Sequence, residues 1–240
     1  MKILIIVISS TDMVYSKLEE GIRKTWGNNK NPNVKIFYNY GNGTSESYID
    51  GDKIICDCTE SIYNIGLKTL KSFELLYDNF DFDYIFRTNL SSFISINNMI
   101  KYVENIPSEK FYGGVCTLNF SGEHLQKFGE GTFASGSGYF LSKDVVKIII
   151  DNKDYWDHSV IDDVAIAGLL KKLGILPTLC HRIDIIDISN DKFTAVSGVD
   201  HNIVVSDDDI NKCYHFRCKT YGDRSDDIKI FEKLNIRLNG

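Results

Sequence analysis

The sequence lacks a long apolar run and lacks an excess of positive charge. Its opening stretch, Ile3 to Ile8, is apolar throughout but far shorter than the ~20 residues that span a bilayer, and no leader cleavage region follows it. The 27 basic and 33 acidic residues give a formal net charge of -6, which argues against a general polyanion binder. We therefore expect no membrane span and no nucleic-acid partner. Any phosphate chemistry must use a local basic patch.

Paired Cys-x-x-Cys motifs are also missing. The six cysteines show no spacing typical of a zinc site, and no secretory leader precedes them. We interpret them as reduced thiols, which indicates a cytoplasmic protein. They are Cys56, Cys58, Cys116, Cys180, Cys213 and Cys218.

Internal repeats, low-complexity blocks and long linkers are absent as well, so the 240 residues are expected to form one domain, 1–240. In the first half the pattern predicts strands at 2–8, 34–40, 53–56 and 83–87, and helices at 15–26 and 65–77. In the second half it predicts a strand at 111–116, helices at 143–152 and 162–173, and a mixed tail from His201. This order indicates an α/β fold with a mainly parallel central sheet flanked by helices.

Polar segments follow two of the predicted strands. Ser9, Ser10 and Thr11 come directly after the first strand, and the segment from Arg87 to Ser91 ends the fourth. Ligands of such sheets bind beyond the carboxyl ends of the strands. We therefore expect both segments at one rim of the sheet, beside the ligand.

Five segments resemble the signatures of one enzyme family, in the same order along the chain. They are Ile22 to Trp26, Tyr63 to Thr69, Phe86 to Ile94, Ser135 to Ser142, and Ile161 to Gly168. Together they resemble the β-1,3-glycosyltransferases of family 31, which include galactosyl-, N-acetylglucosaminyl- and Fringe-type enzymes. The resemblance covers roughly residues 3–181.

The resemblance implies a GT-A fold and inverting transfer of a sugar from a nucleotide donor, with UDP expected, to a hydroxyl of a glycan or glycoconjugate acceptor. It implies a nucleotide-binding half, 1–100, and an acceptor and catalytic half, 101–240. Anchored family members carry an N-terminal membrane segment that is not seen here, which favours the cytoplasm. The abundance of Ile, Asn, Lys and Asp suggests an AT-rich viral or bacterial genome, and the host cytoplasm if the source is viral.

Two adjacent carboxylates are the candidates for the base that inverting transfer needs. By the resemblance, Asp163 is expected to take the proton of the acceptor hydroxyl, with Asp162 as the alternative. Adjacent residues of a helix point about 100° apart, so the two are expected to differ in role. The competing interpretation is that one or both cap the predicted helix and complement its dipole.

The segment that holds a metal ion in the family has no aspartate in this chain. Where the family has three aspartates, this sequence has Asn89-Leu90-Ser91, which offers Mn²⁺ or Mg²⁺ no carboxylate oxygen. We therefore expect no required cofactor and at most a weak metal dependence. On a predicted strand His215, Arg217 and Lys219 share one face and would bind the diphosphate instead. The alternative is an exposed strand face of mixed basic residues.

Further site residues follow from the resemblance. Donor contacts are expected from polar and basic side chains of the rim and the motifs: Ser9, Ser10, Thr11, Arg23, Lys68, Arg87, Asn89 and Ser91. Acceptor and sugar contacts are expected from Gly136, Ser137, Gly138 and Tyr139, since glycine permits close backbone approach. Plainer alternatives are a surface ion pair for Arg23, a strand-end cation for Arg87, and a tight turn at the two glycines.

Three functions compete for this pattern. The first is an active inverting glycosyltransferase with little or no need for metal. The second is a non-catalytic protein that binds sugar nucleotides or glycans, which the missing aspartates favour. The third, a nucleotidyltransferase, is disfavoured because no Gly-rich, Lys-bearing phosphate loop follows the first strand.

Overall fold

The computed structural model describes residues 1–189, 192–197 and 201–239. The chain forms two compact units built from interleaved segments. Unit 1 comprises Met1–Thr11, Pro32–Asn89 and Ile106–Cys180, and unit 2 comprises Asp12–Asn31, Leu90–Asn105 and His181–Gly240. The expectation of one domain, with halves that meet at residue 100, stays a prediction.

The strands and helices are numbered in chain order. The strands are β1 (Ile3–Ile8), β2 (Val34–Gly41), β3 (Tyr48–Asp50), β4 (Lys53–Cys56), β5 (Tyr84–Asn89), β6 (Ser92–Ile94), β7 (Tyr112–Gly114), β8 (Leu118–Asn119), β9 (Thr132–Phe133), β10 (Gly138–Ser142), β11 (Thr178–Leu179), β12 (Ile183–Ser189), β13 (Lys192–Ser197), β14 (His201–Val204) and β15 (His215–Cys218). The helices are α1 (Met13–Lys24), α2 (Ile65–Asn79), α3 (Ile96–Val103), α4 (Gly122–Phe128), α5 (Lys143–Asp151), α6 (Asp162–Lys172), α7 (Asp207–Lys212) and α8 (Asp226–Asn239).

Unit 1 is built on a mixed sheet with the strand order β11-β7-β10-β5-β1-β2-β4-β3. Its centre is parallel, because β1 pairs in parallel with both β2 and β5, while β10 joins β5 in antiparallel orientation. Every residue of β1 is buried, as expected for an apolar strand covered on both faces. The α/β prediction is confirmed.

Helix α2 covers this sheet through an apolar stripe. Leu70, Phe73 and Leu76 recur at steps of three residues and are at most 4% exposed. They join a core that also contains residues of β1, β10 and α6. Each such side chain contributes roughly 1.5–3 kcal/mol when it is fully removed from water.

The rim predicted from the sequence is present in unit 1. In the β1–β5 register Ile8 lies opposite Asn89, so Ser9 and the end of β5 reach the same edge. The backbone N–H of Ser9 also donates to the carbonyl of Asn39 at the end of β2, at 3.0 Å. Three strands thus end together at their carboxyl ends.

Unit 2 has a second sheet with the strand order β14-β13-β12-β15-β6. Helices α1 and α8 pack together at Gly21, where an added Cβ would lie 3.2 Å from side-chain atoms of Ile228. Trp26 is 2% exposed and donates from Nε1 to the backbone oxygen of Ser92 at 3.0 Å. It is therefore a packing residue of this unit.

Most elements of the first half match their predicted bounds within about two residues, but several short elements do not follow from the pattern. The structure adds strand β6, helices α3 and α4, and the strands β14 and β15 of the tail from His201. They are short or pair over long sequence distances, so periodicity gives little signal for them. Within the described ranges, no helix is both long and apolar enough to cross a bilayer.

Gly168 of α6 makes room for a neighbouring aromatic ring. An added Cβ would lie 2.3 Å from Cε1 of Phe128, the last residue of α4. Lys171 fixes the same junction, because its Nζ donates to the backbone oxygen of Phe128 at 2.7 Å and also to that of Glu130. This explains in packing terms the glycine that closes the fifth sequence motif.

We expect Gly168→Ala to lower the free energy of unfolding by about 1–3 kcal/mol, since the methyl group overpacks the contact with Phe128. Urea denaturation measures this change. The matched control is Gly222→Ala, where an added Cβ meets nothing within 4 Å and should change stability little. Combining Gly168→Ala with Phe128→Leu should recover part of the loss. Equal stability of the two single variants would contradict the packing role.

Candidate active site

A buried ion pair lies at the centre of the candidate site in unit 1. The Arg87 Nη2 on β5 donates to Asp162 Oδ1 at 2.8 Å, and its Nε lies 2.8 Å from Oδ2 without a linear hydrogen bond. The side chains are 4% and 3% exposed. A guanidinium that meets both oxygens of a carboxylate holds it in one orientation. Arg87 therefore fixes the start of α6 to the sheet.

Asp162 has two further partners. Its Oδ2 accepts from Thr69 Oγ1 of α2 at 3.2 Å and from the Tyr139 hydroxyl of β10 at 3.1 Å. Burial, and then the charge of Asp162, raise the pKa of Tyr139 well above its ordinary value, so this hydroxyl remains a donor. With its oxygens occupied by partners from three elements, Asp162 is suited to positioning rather than to proton transfer.

Asp163 differs from Asp162 because it has no ion-pair partner among the described residues, and backbone groups hold its carboxylate. Oδ2 accepts from Gly136 N at 2.8 Å, and Oδ1 accepts from Val164 N at 2.9 Å. Burial, and then the adjacent charge of Asp162, raise the pKa of Asp163 from 3.8 to about 6. The bond from Val164 satisfies an N–H of the first turn of α6. One oxygen of Asp163 therefore acts as a helix cap, as the alternative interpretation states.

The loop before β10 closes around both charged groups. Gly136 accepts at its carbonyl oxygen from Arg87 Nη1 and, at 3.5 Å, from Asn89 Nδ2. An added Cβ at Gly136 would lie 3.0 Å from Asp163 Oδ2 and 3.2 Å from Arg87 Nη1. Only glycine allows the backbone to approach this closely.

The residues predicted to contact acceptor and sugar are in this same region. Ser137 is buried and accepts at its carbonyl oxygen from Thr88 Oγ1 at 2.7 Å, while Gly138 pairs with Thr88 in the β10–β5 register. Tyr139 is fully buried against Asp162. The structure thus brings Arg87, the Gly136 loop and the aspartate pair together, and acceptor contact stays a prediction for residues 136–139.

Lys68 lies beneath the first rim segment. Its side chain is 1% exposed, and Nζ donates to the backbone oxygen of Ser9 at 2.9 Å and to Glu60 Oε1 at 2.6 Å. Lys68 therefore stabilises the loop after β1. Ser10 is half-buried and Thr11 is exposed. Donor contact stays a prediction for these residues.

The other predicted donor residues lie in unit 2. Arg23 forms an ion pair with Glu19 on α1, with 2.8 Å between Nε and Oε1, as its plainer interpretation states. His215 is buried, with Nε2 3.2 Å from Ser92 Oγ. Arg217 is half-buried on the same face of β15, and exposed Lys219 follows the end of the strand at Cys218.

The segment that replaces the aspartates does not fit a metal site. Asn89 directs its amide nitrogen to Gly136, Leu90 is buried, and Ser91 Oγ accepts from Arg224 Nη2 at 2.8 Å. These groups offer no carboxylate oxygen, and a cation already contacts the serine. Across the part of the chain that the structure describes, no three His, Cys, Asp or Glu side chains form a group that could hold an ion.

Sequence reasoning missed several residues that shape these sites. Thr69 ends the second motif but was not expected to contact Asp162, and the role of Tyr139 in binding that carboxylate was not expected either. Arg182 and Arg224 lie outside the five motifs. The second motif includes Thr69 but does not indicate its partner, and no motif includes the two arginines.

The difference in stability between the parent and Asp163→Asn should depend on pH. A folded pKa of about 6 against 3.8 means that the folded state holds this proton more tightly than the unfolded chain. The contribution of Asp163 to stability is therefore full below about pH 3.8 and falls as pH rises through 6, by up to about 3 kcal/mol.

Urea denaturation between pH 4 and 8 measures this dependence for both proteins. The free energy of unfolding of Asp163→Asn minus that of the parent should increase with pH across this range. Asp154→Asn, at an exposed position, serves as control and should follow the parent. Parallel curves for the parent and Asp163→Asn would contradict the raised pKa.

Comparison with known proteins gives a consistent result. The family model described as galactosyltransferase matches residues 19–181. Beta-1,3-galactosyltransferase 1 of Mus musculus is 28% identical over 202 residues, covering 72% of this chain and 61% of that protein. UDP-GalNAc:beta-1,3-N-acetylgalactosaminyltransferase 1 of Mus spicilegus is 26% identical over 188 residues, covering 66% of this chain and 57% of that protein.

The matched region spans about three fifths of the length of these curated relatives. Among solved structures, the galactosyltransferase LgtC in complex with donor and acceptor sugar analogs is similar, with a TM-score of 0.49 and 11% identity over 100% of this chain and 97% of that one. The matched residues 19–181 contain all four motif segments that meet around Asp162 in unit 1. The chain belongs to the galactosyltransferase family, as the resemblance to the β-1,3-glycosyltransferases of family 31 predicts.

Proposed function

We propose that this protein is an inverting glycosyltransferase that moves a sugar from a nucleotide donor, expected to be a UDP-sugar, to a hydroxyl of a glycan or glycoconjugate. The observation that carries the proposal is the difference in environment between two adjacent aspartates. Asp162 is saturated by Arg87, Thr69 and Tyr139, whereas Asp163 has a pKa of about 6 and no cationic partner of its own.

Asp163 is the base in this proposal. A carboxylate with a pKa near 6 is largely ionised at pH 7 yet basic enough to accept a proton from an attacking hydroxyl. The acceptor oxygen forms a bond to the anomeric carbon as its proton passes to Asp163. The bond from that carbon to the diphosphate oxygen breaks, and its electron pair leaves with the diphosphate. Attack opposite the leaving group inverts the anomeric centre.

Asp162 and Arg87 are positioning residues for this step. They fix the first turn of α6 against β5 and β10, and the Gly136 loop contacts both Arg87 and Asp163. Positioning of this kind lowers the reorganisation needed at the moment of reaction. The similarity to a UDP-GalNAc:beta-1,3-N-acetylgalactosaminyltransferase supports the proposed donor class.

The diphosphate is proposed to be neutralised mainly by protein cations, so that Mn²⁺ or Mg²⁺ is not required. The support is the donor set at residues 89–91, which contains an amide and a hydroxyl and no carboxylate. The same replacement favours the second candidate, a non-catalytic relative that binds sugar nucleotides. None of the six cysteines forms a disulfide in the structure, which supports the proposed cytoplasmic location.

Asp163→Asn should reduce kcat by at least about 100-fold, because the amide cannot accept the acceptor proton. In the parent, the rate should fall as pH decreases through about 6, where Asp163 becomes protonated. Initial rates of nucleotide release across pH 5–8 measure both effects. Asp154→Asn is the control and should keep the parent rate. An Asp163→Asn protein with parent activity would rule out Asp163 as the base.

A donor panel tests the activity and its metal dependence together. We expect one of the UDP-, GDP- or dTDP-sugars to be turned over with a suitable acceptor, and the rate in EDTA to remain within about threefold of that in Mn²⁺. Nucleotide release and thermal shift are the measurements. If EDTA abolishes the activity, the protein is a glycosyltransferase that requires a metal ion, and the proposed metal independence is wrong. Thermal stabilisation by a donor with no turnover of any acceptor would favour the non-catalytic candidate.

A further inference from the structure

Three arginines meet in unit 2, outside the residues assigned to catalysis. Arg182 precedes β12, Arg217 lies within β15, and Arg224 precedes α8. In the sheet register Arg217 stands between Asp184 on one neighbouring strand and Ser92 on the other. Arg182 binds the side chain of the same Asp184, so Arg182 and Arg217 are both neighbours of this residue.

Two of these arginines have a carboxylate partner. Arg182 Nη2 donates to Asp184 Oδ2 at 2.8 Å, and its Nε contacts Oδ1 of the same residue. Arg224 Nε donates to Asp227 Oδ2 at 2.6 Å, while its Nη2 reaches Ser91. Both guanidinium groups are therefore held in place before any ligand binds.

Arg217 has no such partner. Among the described residues no carboxylate lies within ion-pair distance of it, and its Nε is buried without a hydrogen-bond partner. Burial, and then repulsion by Arg182, lower the pKa of Arg217, and Arg224 adds to the repulsion while Asp184 opposes it. Arginine does not lose its proton at neutral pH, so this half-buried charge persists at a cost in free energy.

A persistent cation beside two fixed cations is suited to an anion. The cluster contains three positive and two negative side chains, Asp184 and Asp227. The planar guanidinium of Arg217 presents several parallel N–H donors, a geometry that matches phosphate oxygens. Arg224 also donates to Ser91 Oγ, so its guanidinium is fixed on two sides.

We propose that Arg217, flanked by Arg182 and Arg224, binds the diphosphate of the sugar nucleotide. The inference rests on the proposed function for the identity of the ligand and on the unpaired guanidinium for the site. Guanidinium donors that are already held in place suit the negative charge of a diphosphate.

The cluster also refines the predicted basic strand face. His215 is buried against Ser92, and Lys219 is exposed beyond β15, so Arg217 is the member of that trio with buried, unpartnered donor capacity. The two arginines that join it come from other parts of the chain. The fold of unit 2 brings these two arginines to Arg217, and no local sequence motif predicts it.

The decisive variant is Arg217→Met. Replacing Arg182 would leave Asp184 without its ion-pair partner, and replacing Arg224 would do the same to the fully buried Asp227. Replacing Arg217 removes a charge that has no ion-pair partner among the described residues. The matched control is Arg237→Met, which removes a cation of the same unit that pairs on the surface with Asp207 at 2.9 Å. Calorimetric titrations with UDP, UMP, pyrophosphate, uridine and sulfate, all in EDTA, measure the binding.

We expect Arg217→Met to weaken UDP and pyrophosphate binding at least about 10-fold, with a smaller effect on UMP and none on uridine. The ligand-free variant should melt no lower than the parent, because an unpaired buried charge has been removed, and Arg237→Met should bind as the parent does. Parent-like affinity for UDP and pyrophosphate would overturn the proposal. Equal weakening for sulfate and UDP would overturn the diphosphate assignment.

These outcomes are distinct from a failure of the proposed function. If no donor is turned over but Arg217→Met still loses pyrophosphate binding selectively, the anion site stands and glycosyl transfer fails. If Asp163→Asn abolishes turnover while Arg217→Met binds UDP normally, the enzyme stands and the arginine site is wrong. A lower melting temperature of ligand-free Arg217→Met with unchanged binding would mean a structural role, and the proposal would fail.

Discussion

The organisation of unit 1 depends on the burial of one ion pair. An arginine and an aspartate, each nearly inaccessible to water, can remain charged inside a protein only when their polar atoms are satisfied. Arg87 and Asp162 pair with each other, and further hydrogen bonds come from α2, β10 and the Gly136 loop, so one ion pair joins several separate parts of the chain. Removal of either partner would leave an uncompensated charge in the core, which commonly costs about 3–5 kcal/mol.

The same requirement makes Asp163 chemically distinct. Because the Arg87 guanidinium pairs with Asp162, the hydrogen bonds of Asp163 come from two backbone N–H groups, and a like charge lies beside it. A proton is therefore held more tightly on Asp163 than on an exposed aspartate. Two identical residues, adjacent in sequence, acquire different properties solely from the partners that the fold provides.

This difference shows where sequence reasoning succeeds and where it ends. The apolar runs of β1, β2 and β4 and the stripe of α2 are local patterns, and the structure has these elements close to the predicted bounds. The motifs also identified Arg87, Gly136 and the aspartate pair, which the structure brings together. The pairing of Asp162 with Thr69 and Tyr139 was not predictable, since it depends on distances across the fold. Strands β12 to β15 and the arginine cluster likewise arise from long-range pairing.

Arg87 and Arg217 differ in whether the fold provides a partner for the guanidinium group. Arg87 pairs with a carboxylate and donates to a backbone carbonyl. Arg217 has no ion-pair partner among the described residues, and the charges of Arg182 and Arg224 act against its own. Evolution of a stable core alone would favour an apolar residue at position 217, because burial of an unpaired charge is unfavourable. The proposed anion site would explain why a cation is retained at this position, because a bound anion would offset the cost of burying its charge.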